Sequence, residues 1–135
     1  MGKKYLKKII AQSPEDLQLI SACCSEANVK MEEIKYLREN KIFLLYLERF
    51  NREGENSTKK IYSVIKFEYI GSSKSKNIHQ NDKDLVMELL AIDLFKRNDN
   101  YEITLLFSKN RFITLTAEII EVTLEDQKTK NDKSN

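Results

Sequence analysis

One histidine, two adjacent cysteines, a pair of glutamates three residues apart and an arginine-flanked phenylalanine are the side chains of this 135-residue sequence with a prospect of chemistry. His79 stands beside Gln80-Asn81-Asp82, where Asp82 or Asp84 would orient it as a general base. Nucleophilic catalysis would also require a positioned serine or cysteine, and no G-x-S-x-G frames one. His79 therefore reads as a solvated loop histidine. Cys23 and Cys24 are adjacent, so a bridge between them would be a strained small ring. Neither C-x2-C nor H-x3-H spacing occurs, and no D-x-D-x-D-G loop is present, so no metal site is expected. Both cysteines read as reduced thiols packed on a helix. Gly2, Gly54 and Gly71 are isolated, which excludes a phosphate-cradling or dinucleotide-binding loop, and no cofactor is expected. Glu118 and Glu121 would form an acid pair only if the strand carrying them were bulged; otherwise they are solvent contacts.

Binding residues are better represented than catalytic ones. Arg49 and Arg52 flank Phe50 at the end of an apolar run, and a guanidinium beside an aromatic ring can grip a carboxylate or phosphate. Lys3, Lys4, Lys7 and Lys8 give the first eleven residues a charge of +4, and residues 59–83 carry another +4. Should these segments meet, Lys59, Lys60, Lys74 and Lys76 would complete a basic patch for RNA, DNA or an acidic protein. Over the whole chain 23 Lys plus Arg oppose 21 Asp plus Glu, a net +2 that is far from the footprint of a dedicated nucleic-acid binder. An aromatic stacking platform is also missing, with Tyr5 and Tyr62 the obvious companions.

The elements that must position these groups follow from local signals. With 41% hydrophobic and 33% charged residues the chain can bury a core, and its length suits one domain. No apolar run approaches a membrane span and residues 1–8 lack the apolar stretch of a leader, so a cytoplasmic protein is expected. Ser13 is a good N-cap, Pro14 fits the first helical position, and Glu15 and Asp16 favour the helix dipole. Leu17, Ile20, Cys24 and Ala27 then recur at helical spacing, with Asn28 suited to end the helix. Strand-type residues fill 5–11, 29–37, 41–50 and 59–70, with a turn at 38–41 and a loop at 51–58. Because 42–47 is apolar on both faces, that strand should be covered on both. Residues 71–83 read as a polar loop, 85–95 fits either period and is taken as strand, and 101–107 pairs with 111–124 across Ser108-Lys109-Asn110. A β-bulge at Ile119-Ile120 would reconcile two apolar phases and bury both Ile119 and Val122.

Ser13-Pro14-Glu15-Asp16-Leu17 with Ile20-Ser21-Ala22, Tyr36-Leu37 through Leu44-Leu45 to Arg49-Phe50, Leu89-Leu90-Ala91-Ile92, and Leu124-Glu125-Asp126 occur in an order that resembles a small alphaproteobacterial family, domain of unknown function 2948. The resemblance spans residues 5–126 and implies a cytoplasmic bacterial protein without implying a reaction. Departures are Glu48, where that family carries Asn, and Arg52, where it carries Trp, which bears on any ligand held at that corner. The expected fold is α+β, a mostly antiparallel twisted sheet or partial barrel of six or seven strands with one packed helix. Residues 1–126 form the single domain, and 127–135, with no apolar residue, a disordered tail. The expected function is noncatalytic binding of a protein partner, with Arg49, Phe50, Arg52, Lys3, Lys4, Lys7 and Lys8 as contacts. The alternatives are a nucleic-acid-associated module using the basic patch and a small-molecule enzyme with a His79–carboxylate site.

Overall fold

The computed structural model of the chain describes residues 6–50 and 59–127. Helix α1 (Pro14–Cys23) begins where its start signal lies: Ser13 is extended, its Oγ accepts the Asp16 N–H at 3.2 Å, and Glu15 and Asp16 occupy the first turn. Leu17 and Ile20 are buried on its inner face. The helix stops earlier than Asn28, because Glu26 turns left-handed (φ 70°) and gives its N–H to the Leu89 carbonyl. Sheet pairing captures the chain there, and Asn28 already lies in a strand opposite Glu48 and Glu88.

Ten strands follow among the other described residues: β1 (Lys8–Ala11), β2 (Ala27–Lys30), β3 (Ile34–Leu37), β4 (Ile42–Phe50), β5 (Lys60–Phe67), β6 (Ile70–Lys76), β7 (Val86–Arg97), β8 (Asn100–Phe107), β9 (Arg111–Ala117) and β10 (Val122–Asp126). All pair antiparallel in one sheet of order β1-β10-β5-β4-β2-β7-β8-β9-β6, with β3 also on β4. The fold is α+β as expected, with more strands than six or seven for three local reasons. A 3-10 turn at Met31–Glu33 cuts the 29–37 segment into β2 and β3, which lie on the same edge of β4 with that turn bulging out between them. The 111–124 segment breaks between Ala117 and Val122. Finally, the expected polar loop is strand β6 over its first half, held by main-chain bonds to β9. Its serines and lysines carry no apolar period, and Lys74 and Lys76 suit an exposed edge.

The break between β9 and β10 replaces the expected bulge. Ala117 pairs with Ile70 and Tyr101, whereas Val122 pairs with Phe67 and Ala11, so the chain changes partners between them. Val122 is 1% exposed, but Ile119, on the bend, is 47% exposed. The companion chain bends at the same level, where Tyr69 has φ 60°, the Glu118 N–H donates to the Tyr69 carbonyl and the Glu68 N–H to the Glu121 carbonyl. β5–β6 and β9–β10 are therefore one long ribbon with a shared kink, and the sheet curls around a single core. Phe43, Leu45, Phe67, Phe107 and Leu115 fill it, with Leu17 and Ile20 of α1 packed against them. The inner face of β4 is buried throughout, while Ile42, Leu44 and Tyr46 on its outer face are half-buried rather than covered. Hairpins β7–β8 and β8–β9 turn at Asn98 (φ 52°) and at Lys109 and Asn110 (φ 63° and 58°), left-handed positions of which two are held by asparagine, a residue that tolerates them.

Candidate functional site

Two places gather side chains in a way that bears on function. The first lies at the end of β4, whose alternation turns Arg49 inward. Its Nη2 and Nε donate to the Asp126 carboxylate at 2.8 and 3.0 Å. Ser63 Oγ of β5 donates to the same carboxylate at 2.7 Å, and the Lys7 main-chain N–H at 2.9 Å. Arg49 is 2% exposed and Asp126 4%. Burial by itself would raise the Asp126 pKa, but the hydrogen bonds from Arg49, Ser63 and Lys7 and the Arg49 charge outweigh it and hold the carboxyl below the usual carboxylate range. Burial likewise disfavours the Arg49 charge, and Asp126 more than restores it. Nearby Cys24 is fully buried; desolvation pushes its thiol up to about 12 against the opposing Arg49 charge. Cys23, half-buried, receives a long contact of 3.8 Å from Lys7 Nζ. Arg49 is thus committed to an internal ion pair joining β4, β5, β10 and the residue before β1. The sequence reading of a ligand-gripping guanidinium gives way to a structural one, because strand alternation puts the side chain on the core face.

The second place is a groove of about 580 Å³ between α1 and β7. β2 pairs with β7 only as far as Leu89, and the β7–β8 register shifts between Leu89 and Ala91. This bulge at Leu90 turns the rest of β7 away from β2 and along the helix. Leu17 and Pro14 line the helical wall; Leu90, Leu94 and Phe95 line the strand wall. Leu90 and Phe95 are 40% and 54% exposed. Ser21 Oγ accepts the Ile92 N–H at 2.9 Å, which fixes the helix to the strand edge. Sequence reading missed this groove, although the 85–95 segment carried its signal: apolar residues that satisfy both periods are what a bulged strand leaves behind.

The remaining candidates are scattered. His79 is exposed on the loop after β6, and its carbonyl accepts the Asp82 N–H in a turn. Glu118 pairs with Lys41 at 3.2 Å and Glu121 accepts a hydrogen bond from Gln12, so each carboxylate has its own neighbour. Phe50 is half-buried with Lys60 Nζ 5.7 Å from its ring centre. Lys7 and Lys8 lie at the start of β1, whereas Lys3, Lys4 and Arg52 lie outside the described residues, as do the loop at 51–58 and the tail from 128. Lys59 and Lys60 stand at the outer end of β5 and Lys74 and Lys76 at the far end of β6, opposite ends of the kinked ribbon, so these lysines do not share one patch. No group of three or more His, Cys, Asp or Glu among the described residues is placed to hold a metal ion, and no described helix is long and apolar enough to cross a membrane. A family model described as "Protein of unknown function (DUF2948)" matches residues 7–135. No curated protein and no solved structure matches the sequence.

Proposed function

We propose that this chain, which belongs to the DUF2948 family of proteins of unknown function, is a noncatalytic binding protein of the bacterial cytoplasm that holds a protein partner in the groove between α1 and β7. The observation that carries this reading is the groove itself: exposed Leu90 and Phe95 face Pro14 and Leu17 along a strand that has left its neighbour. Concave apolar surface with a few polar groups is the usual character of a recognition site, and apolar residues left open at such a place mark an interaction surface. The polar side chains that line it are Gln18, Ser21, Ser25 and Asp93, a single carboxylate with no second titratable group among the lining residues to make an acid–base pair. The buried ion pair Arg49–Asp126 is closed on itself, and among the described residues no buried side-chain nitrogen or oxygen lacks a hydrogen-bond partner.

The test is affinity capture from native cytoplasm with the wild-type chain, with Leu90→Glu and with a Lys7→Glu/Lys8→Glu variant. Capture of a protein by wild type and its loss in Leu90→Glu, at unchanged circular dichroism, is the expected result. Recovery of RNA or DNA with steep salt dependence, lost only in the lysine variant, would transfer the function to the nucleic-acid reading.

A further inference from the structure

We infer that the groove is an open strand site: its occupant is an extended polypeptide segment that pairs with the unpaired edge of β7, and that segment carries a basic residue opposite Asp93. The inference deepens the proposed function and rests on it. The argument begins with phase. In an antiparallel strand the N–H and C=O of one residue point to the same side, and successive residues alternate. The Leu89 carbonyl accepts the Glu26 N–H on the β2 side, and the bulge at Leu90 shifts the count by one. The Ile92 N–H therefore points to that same side, where Ser21 Oγ accepts it. Alternation then sends the main-chain groups of Leu94 and Lys96 to the same edge, while Asp93 and Phe95 face β8.

No described strand lies along this edge beyond Leu89, since β2 ends its pairing there and α1 supplies only the Ser21 hydroxyl. From the Ile92 carbonyl to the Lys96 N–H, four main-chain groups are presented in the spacing of a ladder, beside a groove where Leu90, Leu94 and Phe95 stand with the polar Gln18, Ser21, Ser25 and Asp93. A strand added to such an edge gains affinity from main-chain hydrogen bonds and specificity from alternate side chains. Helix α1 touches β7 at the Ser21–Ile92 contact, and the groove that the two elements line has a volume of about 580 Å³. Apolar side chains of the occupant would fall toward Leu17 and Leu94. Among the residues that line the groove, Asp93 is the one that carries a charge. It is exposed and sits on the outer face of the strand with Phe95, so a lysine or arginine on the occupant's outer face meets it.

Amide exchange and chemical shifts of the 15N-labelled full chain test this, with two nine-residue capped peptides as probes, one alternating valine with lysine and one alternating valine with glutamate. The Val–Lys peptide should shift the resonances of Leu17, Leu90 and Phe95 and slow exchange at Leu94 and Lys96 about tenfold, leaving Asp93 and Phe95 amides unchanged. The Val–Glu peptide should bind roughly threefold more weakly, and Asp93→Lys should reverse that order. Shifts in the groove without slowed exchange at Leu94 and Lys96 would overturn strand addition and leave the groove reading standing. No shift there with either peptide would overturn both. Slow, concentration-dependent exchange at Leu94 and Lys96 in the free chain would mean that a second copy fills the edge, and would also overturn the proposal.

Discussion

Asp126 is where the electrostatics of the molecule concentrate, and its environment gives a test with a definite sign. Its folded pKa lies below the ordinary aspartate value of about 3.9. The stabilisation it supplies is therefore complete above that value and is lost as pH falls through the lower, folded one. Denaturation midpoints should be flat from neutral pH to about 5 and drop below about 4, and Asp126→Asn should flatten that drop. Removing one partner leaves the other charge buried, so Arg49→Met should cost about 3–5 kcal/mol, whereas Arg49→Met combined with Asp126→Leu should cost much less than the two singles together. Additive losses in urea titrations would show that the pair is not coupled. Cys24 has the opposite sign: its thiol is pushed up to about 12 by burial, so it stays neutral where an unfolded thiol ionises. Alkylation at pH 8.5 followed by mass spectrometry should label Cys23 in the native chain and Cys24 only after denaturant is added. Ser13→Ala should remove about 1 kcal/mol, since its Oγ caps the Asp16 N–H.

At the scale of elements, the break between β9 and β10 decides what each apolar residue is for. Ile119 lies on the bend, exposed, and Ile119→Ala should change stability by no more than about 0.5 kcal/mol. Leu124 is fully buried between β1 and β5, and Leu124→Ala should cost about 2–5 kcal/mol. Equal costs, read from urea midpoints at constant slope, would restore the continuous bulged strand. The same comparison shows what was legible in the sequence. The α1 start was readable because Ser13, Pro14 and Asp16 act within one turn, and the β8–β9 hairpin because Asn110 sits between two alternating runs. β6 was hidden because its pairing uses main chain alone, which leaves no apolar period in Ser72–Lys76. The partner of Arg49 was hidden for a related reason: a guanidinium announces a surface, and only the register Arg49↔Ile61, with Ser63↔Asp126 beyond it, reveals an internal partner 77 residues away.

The whole molecule depends on pairings between remote segments. β10 lies between β1 and β5, so the last described strand joins the first to the middle of the chain, and the kinked ribbon then carries the sheet on to β9 and β6. Asp126 closes the same junction, touching β4, β5 and the approach to β1. Local strand pairing is confined to the β3–β4, β7–β8 and β8–β9 hairpins, and loop-closure entropy must be met before the long-range pairs form, which places such antiparallel folds in the slow range of milliseconds to seconds. A chain ending at Ile119 retains α1 and all three hairpins but leaves the inner edges of β1 and β5 without a partner and Arg49 without its counter-ion. It should therefore lose cooperative unfolding altogether rather than melt at a lower temperature, and it should bind a hydrophobic dye and aggregate through the exposed edge of β5. A cooperative thermal transition in that truncated chain would mean that the helix and the β7–β8–β9 sheet form a core independent of β10. The single buried cluster running from Ala11 to Leu124 argues that they do not.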